Sequence, residues 1–393
     1  MFVVGVLWTA FFLVNFNIAM MIPLLPFVRQ ALGLSAEQSG WVLAAFPLAA
    51  LVGNLVLGPW IDRFGRKRFI VTGAATCAGI FLLTALATGS TMLILCRAAI
   101  GLCMPMIGAS TFAAIADYIR AEDRARIAGY VTTAAPIAFL LSMSLGVVLG
   151  GLFSWQVPLV LIAAVAAGLA LCAARLPPTP PGAMSLAPVT GRTYSTRLLS
   201  LSMNAATRSL FIGYVCWSAG IFVFLGLYPS WVVQRGLAGH GPGSIGGMLL
   251  LGEVGGLIGA LIAGRLARLT TRPFGTCALA ALATAGLVLA VPFGEGSPLW
   301  QTLAYGGFAF GRDLMLALTL GGAMLLVPAV QRGSLSAILN ALYQTGATAG
   351  LLASAWLYRL EPDFMGNAAA AGVLLLLAGA SLWSIAPARA EPP

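Results

Sequence analysis

The chain is a succession of long apolar runs separated by short polar breaks. The runs fall at residues 2–25, 38–60, 69–89, 91–115, 127–151, 156–175, 209–233, 244–266, 273–292, 298–327, 334–358 and 367–386. A helix that crosses a bilayer needs about 20 predominantly apolar residues. Each run is therefore long enough to cross once, and the pattern predicts an all-α integral membrane protein with twelve transmembrane helices. The longest break, residues 176–208, carries Pro177, Pro178, Pro180, Pro181 and Pro188 and then turns rich in Ser and Thr. Such sequence suits a solvated linker. It divides the chain into an N-terminal six-helix bundle (1–175), a linker (176–208) and a C-terminal six-helix bundle (209–393).

Composition agrees with the pattern and narrows the function. Charged residues make up 8% of the 393 positions and hydrophobic ones 60%. Soluble chains carry about a quarter of their residues as Asp, Glu, Lys or Arg, and a polar shell this thin would leave wide apolar patches in water. Soluble enzymes, nucleic-acid binders and disordered scaffolds are excluded, and the lipid bilayer becomes the outer solvent. The net charge of +10 reads as a topology signal. Sixteen basic residues, from Arg63 in the 2–3 loop to Arg389 near the C-terminus, fall in loops on one side. Only Arg29, Arg235 and Arg359 fall on the other, while Arg97 and Arg312 lie inside apolar runs. By the positive-inside rule the basic side, with both termini, is cytoplasmic.

The two halves echo each other. An offset of 206 residues sets Gly40, Gly53 and Gly58 on Gly246, Gly259 and Gly264, and Arg66 on Arg272. The first run of each half also ends alike, with Pro26 before Val28-Arg29-Gln30 and Pro229 before Val233-Gln234-Arg235. Duplicated six-helix halves suit a transporter that rocks one half against the other.

Between the second and third runs stands Gly58-Pro59-Trp60-Ile61-Asp62-Arg63-Phe64-Gly65-Arg66-Lys67-Arg68. Gly65 permits a tight turn at positive φ, Asp62 can accept Arg or backbone hydrogen bonds, and the basic run suits an anionic leaflet. This segment resembles the signature loop of the major facilitator superfamily, with every fixed position present. The resemblance extends over the whole chain through span count, linker, half repeat and topology, and it implies the family's two pseudo-symmetric bundles. It further implies a gating motif of Gly58, Asp62, Arg63, Gly65 and Arg66, with Asp62, Arg66 and Asp117 forming a charge relay opposed by the start of the eleventh helix near Gly333 and Ser334. Arg97 followed by Gly101 resembles a second family motif, an intramembrane Arg implicated in proton handling, although an Arg about six residues into its helix can also snorkel outward. Gly146-Val147-Val148-Leu149-Gly150-Gly151 resembles the motif of the antiporter branch with Val147 in place of its proline; an upstream Pro136 can supply the bend instead.

Two acids, Glu253 and Asp313, sit inside apolar runs, and Asp313 follows Arg312. Intramembrane carboxylates are costly and mark ion pathways, so Asp313, Glu253 and Arg97 are the proton-coupling candidates. Helical neighbours point about 100° apart, so Arg312 and Asp313 are not expected to face each other. The candidate cavity helices offer Phe12, Phe16, Met20, Met104, Phe139, Trp217, Phe222, Tyr228, Phe310 and Tyr343, a soft wall for a bulky amphipathic solute. Asn15 and Asn17 add polar groups to the first helix, and with Phe16, Trp217, Tyr228, Arg312 and Tyr343 they are the substrate-cavity candidates.

Six cysteines without paired spacing and the single His240 argue against metal sites and disulfides, and there is no phosphate-binding GxxxxGK[ST] loop. The expectation is therefore a cofactor-free, monomeric carrier in the bacterial inner membrane. It would be driven by the proton gradient and export drug-like or amphipathic small molecules. A carrier for a defined metabolite (sugar, organic acid, siderophore or amino-acid derivative), with Arg312 taking an anionic group, is the rival; a membrane enzyme or sensor lacks the clustered chemistry it would need.

Overall fold

The computed structural model describes residues 1–120, 122–178, 204–237, 242–270, 272–294, 296–324, 326–327 and 332–385. Within these stretches it does not describe the side chains at positions 58, 59, 62, 63, 116, 125, 126, 242, 268, 332–334, 336 and 337. All regular structure among the described residues is helical: α1 (Phe2–Leu32), α2 (Ala36–Phe64), α3 (Arg66–Ala85), α4 (Ser90–Tyr118), α5 (Arg124–Thr132), α6 (Ala134–Leu152), α7 (Gln156–Ala174), α8 (Ala205–Leu225), α9 (Tyr228–Arg235), α10 (Pro242–Leu269), α11 (Pro273–Ala290), α12 (Pro298–Ala323), α13 (Arg332–Leu360) and α14 (Met365–Trp383), with a 3-10 turn at Val291–Gly294.

These helices account for the twelve predicted crossings. Two crossings are each broken into a pair, α5 with α6 and α8 with α9, and both breaks have one cause. Proline lacks an N–H and its ring crowds the carbonyl four residues before it. For Pro136 that residue is Thr132, where α5 ends, and for Pro229 it is Leu225, where α8 ends. The first crossing differs from expectation. It does not stop near residue 25 but runs through Pro23 and Pro26 to Leu32, where Gly33 closes it at φ 63°. Neighbouring helices make a proline tolerable inside a membrane helix by re-satisfying the freed backbone groups. Ten crossings are long and apolar enough to span a bilayer; α12 and α13, at 26 and 29 residues, complete the twelve by length. Large apolar side chains such as Leu95, Leu171, Leu261 and Leu303 stand exposed on the outer faces, as lipid-facing residues do.

The chain forms two compact units, Met1–Val189 with Gly241–Gly246, and Thr190–His240 with Gly247–Pro393. In the first unit α2 packs on α4, α3 on α4 and α7, and α1 on α6. In the second, α11 packs on α12 and α14, and α8 on α13, while Gly255 and Gly259 of α10 press against the backbone of Gly306 and Phe310 on α12. Counted as crossings, the second unit repeats the first: second on fourth, third on fourth and sixth, first on fifth. The duplication read from the glycines is thus present in the packing.

Candidate functional site

Among the described residues, buried charge marks three places. The first is at one end of the first unit. The turn between α2 and α3 pivots on Gly65, whose φ of 92° is the positive value that the motif reading requires. Arg66, opening α3, meets Asp117 in the last turn of α4, with Nε 3.4 Å from Oδ2 and both side chains about nine-tenths buried. Two members of the expected relay are therefore paired. Gly58, Asp62, Arg63 and the Gly333–Ser334 surface lie outside the described side chains. The same corner holds the end of α7: Lys67 Nζ donates to the Leu176 carbonyl, and Tyr118 Oη donates to that of Pro177 at 2.9 Å. Removing the charge of one partner in a mostly buried ion pair costs about 1–3 kcal/mol, and 1.4 kcal/mol is tenfold in a rate. Asp117→Asn is thus expected to lower turnover about tenfold, measured as initial transport rate per folded protein, with little change in the amount recovered from membranes. An unchanged rate would reduce the pair to a helix-end brace.

The second place is Arg97 on α4. It is 3% exposed and does not snorkel to the outer face. Its Nη1 donates to Asn17 Oδ1 on α1 at 3.0 Å, and its guanidinium lies 4.9 Å from the ring centroid of Phe46 on α2, a cation–π distance. Asn15, two residues from Asn17, instead bonds back to the Phe11 carbonyl at 2.8 Å. Phe16 is part-exposed and packs near Phe12.

The third place, in the second unit, is the most densely built. Arg312 on α12 donates from Nη1 and Nη2 to the two carboxylate oxygens of Glu253 on α10, at 3.1 and 2.7 Å. Its Nε and Nη2 also donate to Asp313 Oδ1 and Oδ2, both at 2.9 Å. The expectation that Arg312 and Asp313 cannot face each other fails. Neighbouring Cβ atoms do diverge, but the Arg side chain is long enough to fold back along its own helix. Tyr305, two turns earlier on α12, donates to Glu253 Oε1 at 2.5 Å. Tyr228 stacks on Tyr305 with centroids 5.2 Å apart and donates to Gln301 Oε1 at 3.1 Å. Tyr228 is fully buried, so it supports the charge cluster from within the unit rather than lining open space. Tyr343 on α13 lies within electrostatic reach of Arg312 and Asp313. It also packs against Trp217 and Phe222 on α8, at 6.1 and 5.7 Å.

Glycines create this cluster. A Cβ at Gly252 would sit 2.2 Å from the Tyr305 ring, and one at Gly256 would sit 2.4 Å from Asp313 Oδ2 and 3.1 Å from Arg312 Nη2. Small residues four apart let membrane helices approach closely, and here the space they leave holds the charged groups themselves. Glu253 is 1% exposed, Arg312 4% and Asp313 14%, so Asp313 is the member of the trio open to its surroundings.

The sequence model of the Major Facilitator Superfamily matches residues 7–351. The chain belongs to this superfamily. It is thereby a multi-pass membrane protein of that superfamily. Relatives include Multidrug resistance protein 2 of Bacillus subtilis, 27% identical over 161 residues that make up 41% of this chain and 40% of that one. Multidrug resistance protein 1 of the same organism is 29% identical over 36% of each. These alignments span less than half the length of those relatives. An MFS-type transporter of Bacillus subtilis, YceJ, is 23% identical over 94% of this chain and 93% of its own. Among solved structures, a bacterial homologue of the human lysosomal transporter Spinster superimposes with a TM-score of 0.79 at 14% identity, covering 97% and 95% of the two chains. A D-xylose–proton symporter superimposes at 0.77 with 16% identity over 98% of each chain. At such identities the structural likeness establishes the fold alone.

Of the candidates named from sequence, Asp313, Glu253 and Arg312 come together, with Tyr343 near them and Tyr228 behind. Arg97 and Asn17 form a separate pair in the first unit. Sequence reasoning passed over Tyr305, Gly252 and Gly256. A usable signal was present, because Gly252-x-x-x-Gly256 surrounds an intramembrane Glu.

Proposed function

We propose that the chain is a proton-coupled exporter of drug-like or amphipathic small molecules, working by alternating access in the bacterial cytoplasmic membrane with both termini inside. One observation carries the reading: two intramembrane carboxylates share a single guanidinium, Glu253 buried and Asp313 part-exposed. With both acids ionised the trio has a net charge of −1 inside a helical bundle, where an uncompensated charge is expensive. A single proton neutralises it. Asp313 is the group that can exchange that proton, because Glu253 is sealed beneath Arg312 and Tyr305. Among the described residues, the titratable or charged groups facing the site are Arg312, Tyr305 and Tyr343.

Protonating Asp313 removes the charge that holds Arg312 toward it and leaves the guanidinium paired with Glu253 alone. Such a change in pairing is a small bistable element that can bias the packing of α12 on α10, and alternating access needs one. The part-exposed Tyr343, within electrostatic reach of Arg312 and Asp313, is the substrate contact favoured here, with Trp217 and Phe222 packed behind it. Export of amphipathic compounds is further supported by the relatives named as multidrug resistance proteins. The rival in which Arg312 receives an anionic group of a defined metabolite fares worse, because Nε, Nη1 and Nη2 all already donate to carboxylates.

Reconstituted full-length protein tests the reading. Liposomes carrying an imposed pH gradient should accumulate a fluorescent amphipathic dye against its concentration gradient. Collapsing the pH gradient with a protonophore should return the dye to equilibrium. Dye movement indifferent to the pH gradient would remove proton coupling.

A further inference from the structure

We infer that Arg97 and Asn17 form an anion-accepting subsite in the first unit, taking a monovalent anion such as the carboxylate of a transported solute. The subsite rests on the proposed transport function for its role but not for its chemistry.

The charge balance around Arg97 is the reverse of that around Arg312. Among the described residues no carboxylate reaches ion-pair distance of Arg97. The side chain is nonetheless 3% exposed, and Asn17 is 0% exposed. A buried guanidinium with no counter-charge is among the most costly arrangements a bundle can hold. Phe46 covers one region of it and returns only part of that cost. Two donors are also left over: Arg97 Nε and Asn17 Nδ2 are both buried without a hydrogen-bond partner.

The orientation of the amide follows from chemistry. Arginine has donors and no acceptor, so Asn17 must present its Oδ1 to Nη1, as it does at 3.0 Å. Nδ2 shares a carbon with that oxygen and is therefore a second donor beside the guanidinium. One positive charge and two unsatisfied donors, placed together by α1 and α4, call for an acceptor carrying one negative charge. A dianionic phosphate would invert the imbalance, whereas a carboxylate or a halide cancels it. A carboxylate has two oxygens that can be shared between guanidinium and amide. In an exporter of amphipathic molecules, such a subsite selects solutes that carry an acid group next to an apolar body.

The test is equilibrium binding of radiolabelled benzoate to the full-length protein in nanodiscs, without any pH gradient. Saturable binding is expected, displaced by unlabelled benzoate but not by benzamide, its uncharged isostere. Arg97→Gln should weaken binding at least tenfold. Arg97→Lys should retain much of it, and Asn17→Leu should lose severalfold while keeping the charge. Sodium bromide is the second probe: displacement of benzoate by bromide shows that a free inorganic anion shares the site, and its failure to displace assigns the site to the solute's carboxylate. Equal competition by benzamide, or benzoate binding unchanged in Arg97→Gln, overturns the proposal. Monodisperse elution of each variant separates loss of the site from loss of the fold. Proton-coupled dye transport by a protein that binds neither benzoate nor bromide would overturn this subsite and leave the coupling mechanism standing.

Discussion

Asp313→Asn is expected to leave a folded protein that still equilibrates substrate across the membrane but cannot concentrate it. Asparagine keeps the size of the side chain and an oxygen to accept from Arg312, while it removes the proton that can be gained and lost. The remaining Arg312–Glu253 pair is neutral and bidentate, at 3.1 and 2.7 Å, so the fold loses little. Gradient-driven accumulation should fall at least tenfold, to the level seen with a protonophore, whereas counterflow between equal pools should persist. Glu253→Gln makes the opposite change. It leaves the partly exposed Asp313 as the counter-charge of Arg312 among the described residues and leaves the Tyr305 hydroxyl facing an amide. Disrupting one partner of a buried pair costs about 3–5 kcal/mol. Glu253→Gln should therefore reduce recoverable protein and lower its Tm, a stability phenotype where Asp313→Asn gives a coupling phenotype. The measurements are dye accumulation, counterflow and thermal unfolding on the same preparations. Normal accumulation by Asp313→Asn together with a stable, uncoupled Glu253→Gln would move the proton site to α10.

The fold was largely legible because lipid imposes a one-dimensional rule. A crossing must be apolar and about 20 residues long, so twelve runs announced twelve crossings. Pro136 announced a bend, while the break at Pro229 went unread because that proline read only as part of the repeat. The Gly65 turn was legible because its segment is contiguous, and the Arg66–Asp117 pair could be attached to it through family resemblance. The charge cluster was only half legible. Glu253 and Arg312 stand out as charges in apolar runs, but they are 59 positions apart in the chain, and nothing local says that α10 and α12 touch there. What brings them together is the absence of side chains at Gly252 and Gly256, a feature easily lost in a chain with 47 glycines. Helical angles alone mislead for Arg312 and Asp313, because Cβ directions do not account for the reach of a long side chain. Arg97 was ambiguous for a related reason. Depth in a helix does not reveal whether an arginine finds a partner such as Asn17, 80 residues away, or reaches out to the headgroups.

Gly256→Ala tests the steric basis of the cluster with one methyl group. In the native packing that methyl would lie 2.4 Å from Asp313 Oδ2, a separation no real contact tolerates. Either the carboxylate swings away, which breaks its two 2.9 Å bonds to Arg312, or α10 and α12 separate. Separation is resisted by the neighbouring close contacts, since Gly255 and Gly259 on the same helix already bring backbone against Gly306 and Phe310. Over-packing of this kind costs about 1–3 kcal/mol, which a stable bundle survives. Movement of the carboxylate is therefore the favoured response, and it strikes the group that exchanges the proton. Gradient-driven accumulation by Gly256→Ala should fall at least tenfold, with a Tm within a few degrees of the parent protein. Gly264→Ala is the matched control: it sits two turns further along the same helix, where a Cβ would meet nothing within 4 Å, and it should transport normally. Full accumulation by Gly256→Ala would mean that the position of Asp313 against Arg312 is not what couples protons to transport.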